Sequence, residues 1–192
     1  EWAMFTGSLS GAGRQPDHAA LVKRLTKPAG MADVVLDRDT YNAIDDQFAL
    51  AYMMKSSEKL NPKAIYAAPF FNYKSSGPKD GMENSYAEIL HVLTLMGRED
   101  MKENVYRGSE AFLRDEKTPV ISPAAEDLVR RSKDYTEEHP LYVVAIGAIT
   151  NIASAILQDP GITERIVVVW LGGHAVHCPN NKEINLRHDI AA

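Results

Sequence analysis

Short apolar runs alternate with amphipathic stretches along most of the 192 residues. Val34-Val35-Leu36 is brief, apolar and β-branched, the pattern of a buried strand. After Asp45-Asp46, the apolar positions Phe48, Leu50, Ala51, Met53 and Met54 fit a helix, and acidic residues suit its first turn. The same alternation predicts a strand over Ala64–Ala68 and a helix over Met82–Met96, ended by Gly97. Val105-Tyr106 reads as a short strand. Pro123–Tyr135 reads as a helix, with Ser122 as its cap and Pro123 at its first position. A strand over Leu141–Ile146, a helix over Thr150–Leu157 and a strand over Ile166–Leu171 complete the series. Ahead of these, residues 1–16 are rich in Gly and Ser and predict an irregular arm. Asp17 would cap a short amphipathic helix carrying Ala20, Leu21 and Leu25. The chain therefore divides into an arm with a short helix, residues 1–30, and one α/β domain, residues 31–192.

Strands alternating with helices of this length imply a mostly parallel, doubly wound sheet with helices on both faces. In such sheets ligands bind outside the carboxyl ends of the strands. The segments to inspect are thus 37–46, 69–72, 147–151 and 172–189.

Composition narrows the partners. Hydrophobic residues at 45% and charged residues at 24% are ordinary for a globular domain. A net charge of -5 gives no electrostatic case for nucleic acid or an anionic membrane surface. No apolar run approaches the roughly 20 residues that span a bilayer. Glu1–Arg14 lacks a basic region followed by an apolar stretch, so no secretory signal is read. Cys178 is the single cysteine, which excludes an internal disulfide and suits a reducing compartment. The expected location is cytoplasmic. Cys178 lies near histidines and could serve as a nucleophile, although a free structural thiol is the favoured reading.

Three polar clusters fall in the segments singled out above. Asp37-Arg38-Asp39 follows the first strand, and strand alternation puts Asp37 and Asp39 on one side and Arg38 on the other. Asp45-Asp46 begins the next helix. Four carboxylates so close would repel one another unless something positive sits among them, and a hard cation with oxygen ligands meets that need. The alternative is a helix cap with the remaining carboxylates in solvent. An Asp-x-Asp after a strand also opens the haloacid-dehalogenase type of phosphatase fold. That motif wants Thr or Val two residues beyond the second Asp, where this chain has Tyr41, and it leaves Asp45-Asp46 unexplained. The second cluster, Gly147-Ala148-Ile149-Thr150-Asn151, opens a helix with exposed backbone groups and short polar side chains. It offers a ligand or metal contact, or a simple cap at Thr150. The third runs Gly172-Gly173-His174 and then Asn180, Asn181, Glu183, Asn185, His188 and Asp189. Its glycines allow close backbone approach and its side chains suit sugar hydroxyls, as they would suit an ordinary surface loop.

Taken together, and in order from about Asp33 to the end of the chain, the clusters resemble the inosine–uridine type nucleoside hydrolases. Val35-Leu36-Asp37-Arg38-Asp39 through Ile44-Asp45-Asp46 with Phe48-Ala49-Leu50 is similar to their amino-terminal aspartate signature. Val105-Tyr106-Arg107-Gly108 is similar to their short third strand and turn, and Ala145–Ala153 to their Gly-Pro-Leu-Thr-Asn segment. Leu171-Gly172-Gly173, then Glu183-Ile184-Asn185 and Asp189, are similar to their Met-Gly-Gly and Glu-Phe-Asn segments. The resemblance implies hydrolysis of the N-glycosidic bond of ribonucleosides or related ribosyl compounds by a water held on calcium. It implies Asp39 and Asp46 as side-chain calcium ligands, the Thr150 carbonyl as a third, and Asp39 as general base. Asp45 would hold ribose hydroxyls. Glu183 and Asn185 would hold the sugar, with Asn180 or Asn181 helping and Asn72 as a further contact. Asp37 would support the cluster from behind. The implied partner is a small nucleoside, in a role such as purine or pyrimidine salvage, with no nucleic acid and no membrane. A homo-oligomer is the expected assembly.

Several positions depart from the family pattern. The turn from Asp39 to Asp45 is two residues longer than the usual signature, so the assignment of Asp39 assumes an insertion at Thr40–Ala43. Arg38 replaces a small residue, Ala148 a proline and Leu171 a methionine. Family members continue past the position of Ala192 and carry there a last metal-ligand aspartate and a histidine that helps the leaving base. The resemblance thus predicts a domain incomplete at its carboxyl end, with little or no turnover by these residues alone. The leaving base would depend on His174 or His177, each otherwise a loop histidine. The competing expectation is a catalytically incomplete fragment or a non-catalytic ribose- or calcium-binding protein.

Overall fold

Val34 and Leu36 of strand β1 (Ala32–Arg38) point into one hydrophobic core, and Val35 into another on the opposite face. A strand apolar on both sides must be covered on both, which places β1 at the centre of the sheet. The computed structural model describes residues 18–192; the arm expected over 1–16 and the cap expected at Asp17 lie outside them. Five parallel strands are ordered β3-β2-β1-β4-β5, with β2 Leu60–Ala67, β3 Val105–Arg107, β4 Leu141–Ala145 and β5 Ile166–Trp170. The first core packs α2 (Ile44–Lys55) and α3 (Pro78–Leu95) on the sheet through Leu50, Met53, Met82, Ile89 and Leu93. The second packs α4 (Pro123–Ser132) and α5 (Thr150–Gln158) through Ala124, Leu128, Ile152 and Ala155. The sheet is therefore doubly wound, as the alternation predicts.

The chain starts at the centre, steps outward through β2 and β3, then returns to the other side of β1 for β4 and β5. The reversal point lies between the carboxyl ends of β1 and β4, where a doubly wound sheet opens its binding crevice.

Element boundaries differ locally from the expectations. β2 begins four residues earlier than the apolar run suggests, at Leu60. Pro62 has no N–H to give the ladder, and the register slips beside it, between Val34 and Val35. α3 begins a turn earlier than expected, because Pro78 takes the first helical position and Gly81 packs flat against the Phe70 carbonyl. Ser122 caps α4 as expected, accepting from the Ala125 amide. Thr150 does not cap α5; that position falls to Ile149, without a side-chain bond. The polar stretch after Gly173 contains a short helix, α6 (Ile184–His188), capped by Glu183. Its five residues carry too short an apolar pattern to register in sequence. The short helix expected after Asp17 is α1 (His18–Leu25), and Arg24 on it donates to the Thr163 and Ile166 carbonyls. Among the described residues no helix is long and apolar enough to cross a membrane.

Candidate active site

The site is built from the end of β1 outward. Pairing on both sides carries β1 to its last residues: Asp37 is opposite Tyr66 of β2 and Ala145 of β4, and Arg38 opposite Ala67. The strand thereby takes its charged end into the protein, leaving Asp37 and Arg38 with no exposed surface and Asp39 with 1%. Alternation then sorts the side chains. Asp37 turns toward α5, where its Oδ2 accepts from Asn151 Nδ2 at 2.7 Å. Arg38 turns the other way, toward α2, where its Nη2 lies 3.6 Å from Asp46 Oδ1. Asp39 faces the crevice with its carboxylate against Gly147, whose missing side chain leaves the space; a Cβ there would stand 2.9 Å from Asp39 Oδ1.

The turn Thr40–Ala43 supplies its own partner. Asn42 Nδ2 donates to Asp39 Oδ2 at 2.7 Å, and Asn42 Oδ1 accepts from Asn72 Nδ2 at 2.6 Å. Asn42 thus ties the loop after β2 to the aspartate cluster, a role the sequence reading did not assign. It lies in the turn between the two aspartate pairs, where no sequence pattern marks it. Asp46, in the first turn of α2, is buried, whereas its neighbour Asp45 is exposed. The helix turn thus points one carboxylate inward and one at the rim.

Burial and mutual repulsion raise the affinity of this cluster for protons. Burial, reinforced by the nearby Asp46 charge, pushes the Asp39 carboxyl up to about 8, against a smaller opposing pull from Asn42. Burial pushes Asp37 up to about 7, with Asn151 opposing. Asp46 rises to about 6, the effect of burial being partly cancelled by Arg38. Burial also lowers Arg38 to about 10, held there by Asp46, Asp39, Asp45 and Glu88.

Across the crevice, Thr150 is fully buried and its hydroxyl donates to Asp189 Oδ2 at 2.6 Å, an oxygen that also accepts from the Leu113 amide at 2.9 Å. Asn151 is the second residue whose role sequence reading missed. Besides donating to Asp37, it accepts from Ser109 N and Ser109 Oγ, joining the turn after β3 to β1. Gly108 makes room for it. Gly108 was read only as the turn after the short third strand, and Ser109 was not singled out.

The third cluster is organised by Glu183. Its oxygens accept from the amides of Gly173, Asn185 and Leu186, closing the loop onto the start of α6. Asn185 is buried, and its Nδ2 donates to the carbonyls of Ile146 and Leu171. Asn180 and Asn181 are exposed, accepting from the Lys182 and His174 amides respectively. Gly173 adopts φ +77°, a backbone form that its lack of a side chain permits. His188 stacks on Phe112 at 5.8 Å between ring centres.

The residues fit a hard cation in kind. The inward donors are all oxygens, and Asp46 Oδ1 and Asp37 Oδ1 are buried without a hydrogen-bond partner. Among the described residues no group of three or more His, Cys, Asp or Glu side chains gathers as a metal site. The resemblance implies Asp39, Asp46 and the backbone at Thr150 for that role.

An acidic crevice at the reversal point of a doubly wound parallel sheet defines the class of protein. The chain belongs to the inosine-uridine preferring nucleoside hydrolase family, whose model matches residues 34–192. Solved structures share the fold. A purine-preferring ribonucleoside hydrolase from Gardnerella vaginalis superposes with a TM-score of 0.54 at 21% identity, over 82% of this chain and 55% of that one. An inosine-uridine preferring nucleoside hydrolase from Bacillus anthracis gives 0.55 at 16% identity, over 83% and 59%. The type III effector protein XopQ, solved with adenosine diphosphate ribose, gives 0.58 at 17% identity, over 90% and 54%. The chain spans a little over half the length of these proteins.

Proposed function

We propose that this chain is the ribose- and cation-binding portion of an enzyme that hydrolyses the N-glycosidic bond of ribonucleosides or related ribosyl compounds. The observation that carries this reading is the placement of Asp39 and Asp46 together at the crevice, both buried and both held above the ordinary carboxylate range. Two carboxylates kept dry beside one another favour a ligand that brings positive charge. Oxygen donors alone favour calcium over zinc. Asp39, Asp46 and the Thr150 carbonyl would hold the ion. Bound there, it would supply charge that orders ribose hydroxyls and makes a water more acidic.

The chain's own groups do the rest. Asp39 is the base that takes the proton of the attacking water, oriented by Asn42. Asp45, exposed on the first turn of α2, accepts from ribose hydroxyls, and Asn72 with Asn180 or Asn181 would help to hold the sugar. Asn185 spends both amide hydrogens on backbone carbonyls, so it meets the sugar through Oδ1 as an acceptor. Glu183 Oε2 accepts two amides and Oε1 one, which leaves Oε1 the capacity for a sugar hydroxyl. The neighbour solved with adenosine diphosphate ribose supports a ribosyl ligand. Asp37 and Asn151 brace the cluster from below.

Titration of the metal-free protein with calcium and with zinc tests the site. Calcium is expected to bind stoichiometrically and more tightly, and Asp39→Asn is expected to weaken it. Tighter stoichiometric zinc binding at the aspartates would overturn the assignment. Inosine and uridine hydrolysis by residues 1–192 with excess calcium is expected to stay well below the roughly 1–10³ per second of ordinary enzymes. Turnover in that range from a verified monomer would show the site to be complete as it stands.

A further inference from the structure

Arg38 is the least expected residue of the crevice. It is fully buried, and its Nε, Nη1 and Nη2 have no hydrogen-bond partner. A guanidinium presents five donors and cannot shed its charge under ordinary conditions, so burying it unbonded is costly. What faces it is acidic: Asp46 at 3.6 Å, with Asp39, Asp45 and Glu88 in Coulombic range. Glu88, on α3, is itself bonded by Gln47 at 2.7 Å, so it does not close a bidentate pair with Arg38. The guanidinium therefore sits behind Asp46, on the α2 side of the sheet, while Asp39 looks into the crevice on the other. Its positive charge falls on the carboxylate that would otherwise belong wholly to a cation.

We infer that Arg38 is a resident counter-ion of the acidic site: it neutralises Asp46 from behind and thereby lowers the affinity of the crevice for a divalent cation. The inference deepens the reading of Asp39 and Asp46 as cation ligands and rests on it. A full positive charge a few ångströms from one ligand opposes a second cation electrostatically. It also gives the metal-free protein a compensated core, so the fold does not depend on a loaded site. A site of this kind responds to cation concentration rather than holding its ion permanently.

The test uses Arg38→Met, an apolar side chain of similar length, and measures calcium binding calorimetrically together with the melting temperature in chelator. Arg38→Met is expected to bind calcium about tenfold more tightly or better, since the opposing charge is gone. It is also expected to melt lower without calcium and to gain more from calcium than the parent. Equal or weaker calcium binding by a folded Arg38→Met protein would overturn the inference. If that variant does not fold, Asp46→Asn decides by sign. When Arg38 is the partner of Asp46, removing the carboxylate charge strands the guanidinium, and the metal-free melting temperature falls by ~4 °C or more. When repulsion among carboxylates dominates instead, the same change raises the melting temperature, and Arg38 is not the counter-ion. Failure of the underlying reading looks different. If neither the parent nor Arg38→Met binds calcium, the cation assignment and the effect on affinity both fall, while the sign of the Asp46→Asn shift still reports whether the pair exists.

Discussion

Asp45 and Asp46 are adjacent in sequence and opposite in surroundings, one exposed on the first turn of α2 and the other buried against Arg38. The difference assigns them different work. Asp46→Ala is expected to weaken calcium binding strongly, whereas Asp45→Ala is expected to leave calcium nearly unchanged. In a longer, active form Asp45→Ala should chiefly raise KM, on the order of tenfold for one lost charge-assisted hydrogen bond. Calorimetry on both variants checks the division, and an equal loss of calcium would mean that the pair is assigned in the wrong order. Asn42 belongs to the same scale. By joining Asp39 to Asn72 it ties the turn between Asp39 and Asp45 to the loop after β2.

The elements carrying these residues are held by a few close approaches. Gly108, just after β3, lies so near the Ala67 carbonyl that a Cβ would collide with backbone, and that Cβ would also stand 2.5 Å from Asn151 Nδ2. Gly108→Ala must therefore displace the turn or break the Asn151 bonds to Ser109 and Asp37. The expected cost is on the order of 2–4 kcal/mol, typical of a strained turn combined with a broken buried network. Chemical denaturation measures it, and a loss under about 0.5 kcal/mol would show that the turn gives way freely. Much of this level was legible in sequence: every strand and the helices α2 to α5 were expected from hydrophobic periodicity, because each buries a face on the sheet, although β2 and α3 begin earlier than it placed them. What escaped depended on contacts distant in the chain. Nothing local announces that Asn151 reaches Ser109, that Thr150 bonds Asp189 rather than capping its helix, or that Glu183 closes a loop onto Gly173. The aspartate cluster was legible as chemistry. Only the resemblance separated Asp46 from Asp45; residue patterning alone could not, because which of them is inward depends on the rotation of α2 against β1. Arg38 was visible as a departure from the family pattern, and its burial became visible only when the sheet closed around it.

At the scale of the whole molecule, an apolar groove of about 400 Å³ runs between α2 and the seam of β1 and β4. Val34, Leu36, Met53, Val144 and Ile146 line it, and Phe48 and Tyr52 on α2 are 68% and 74% exposed beside it. Two large side chains left bare next to a greasy groove favour association. Residues 1–192 alone are expected to form dimers or larger species at tens of micromolar, and Phe48→Asp with Tyr52→Asp to shift them to monomer. Sedimentation velocity distinguishes the outcomes; a parent chain that remains monomeric at about 100 μM would remove the groove as an association surface. The reversal of strand order has its own bearing here. Because the crevice lies between β1 and β4, its walls come from strands far apart in the chain, and the site is assembled only when both halves of the sheet have joined.

One side chain makes that assembly visible. The indole of Trp170, at the end of β5, donates to the Gly147 carbonyl at 3.0 Å, and Gly147 in turn lies against the Asp39 carboxylate. The chain has two tryptophans, Trp170 and Trp2. A fluorophore is thus joined through a single glycine to the base of the crevice, and the emission of Trp170 is expected to change between the parent and Asp39→Asn without any label being added.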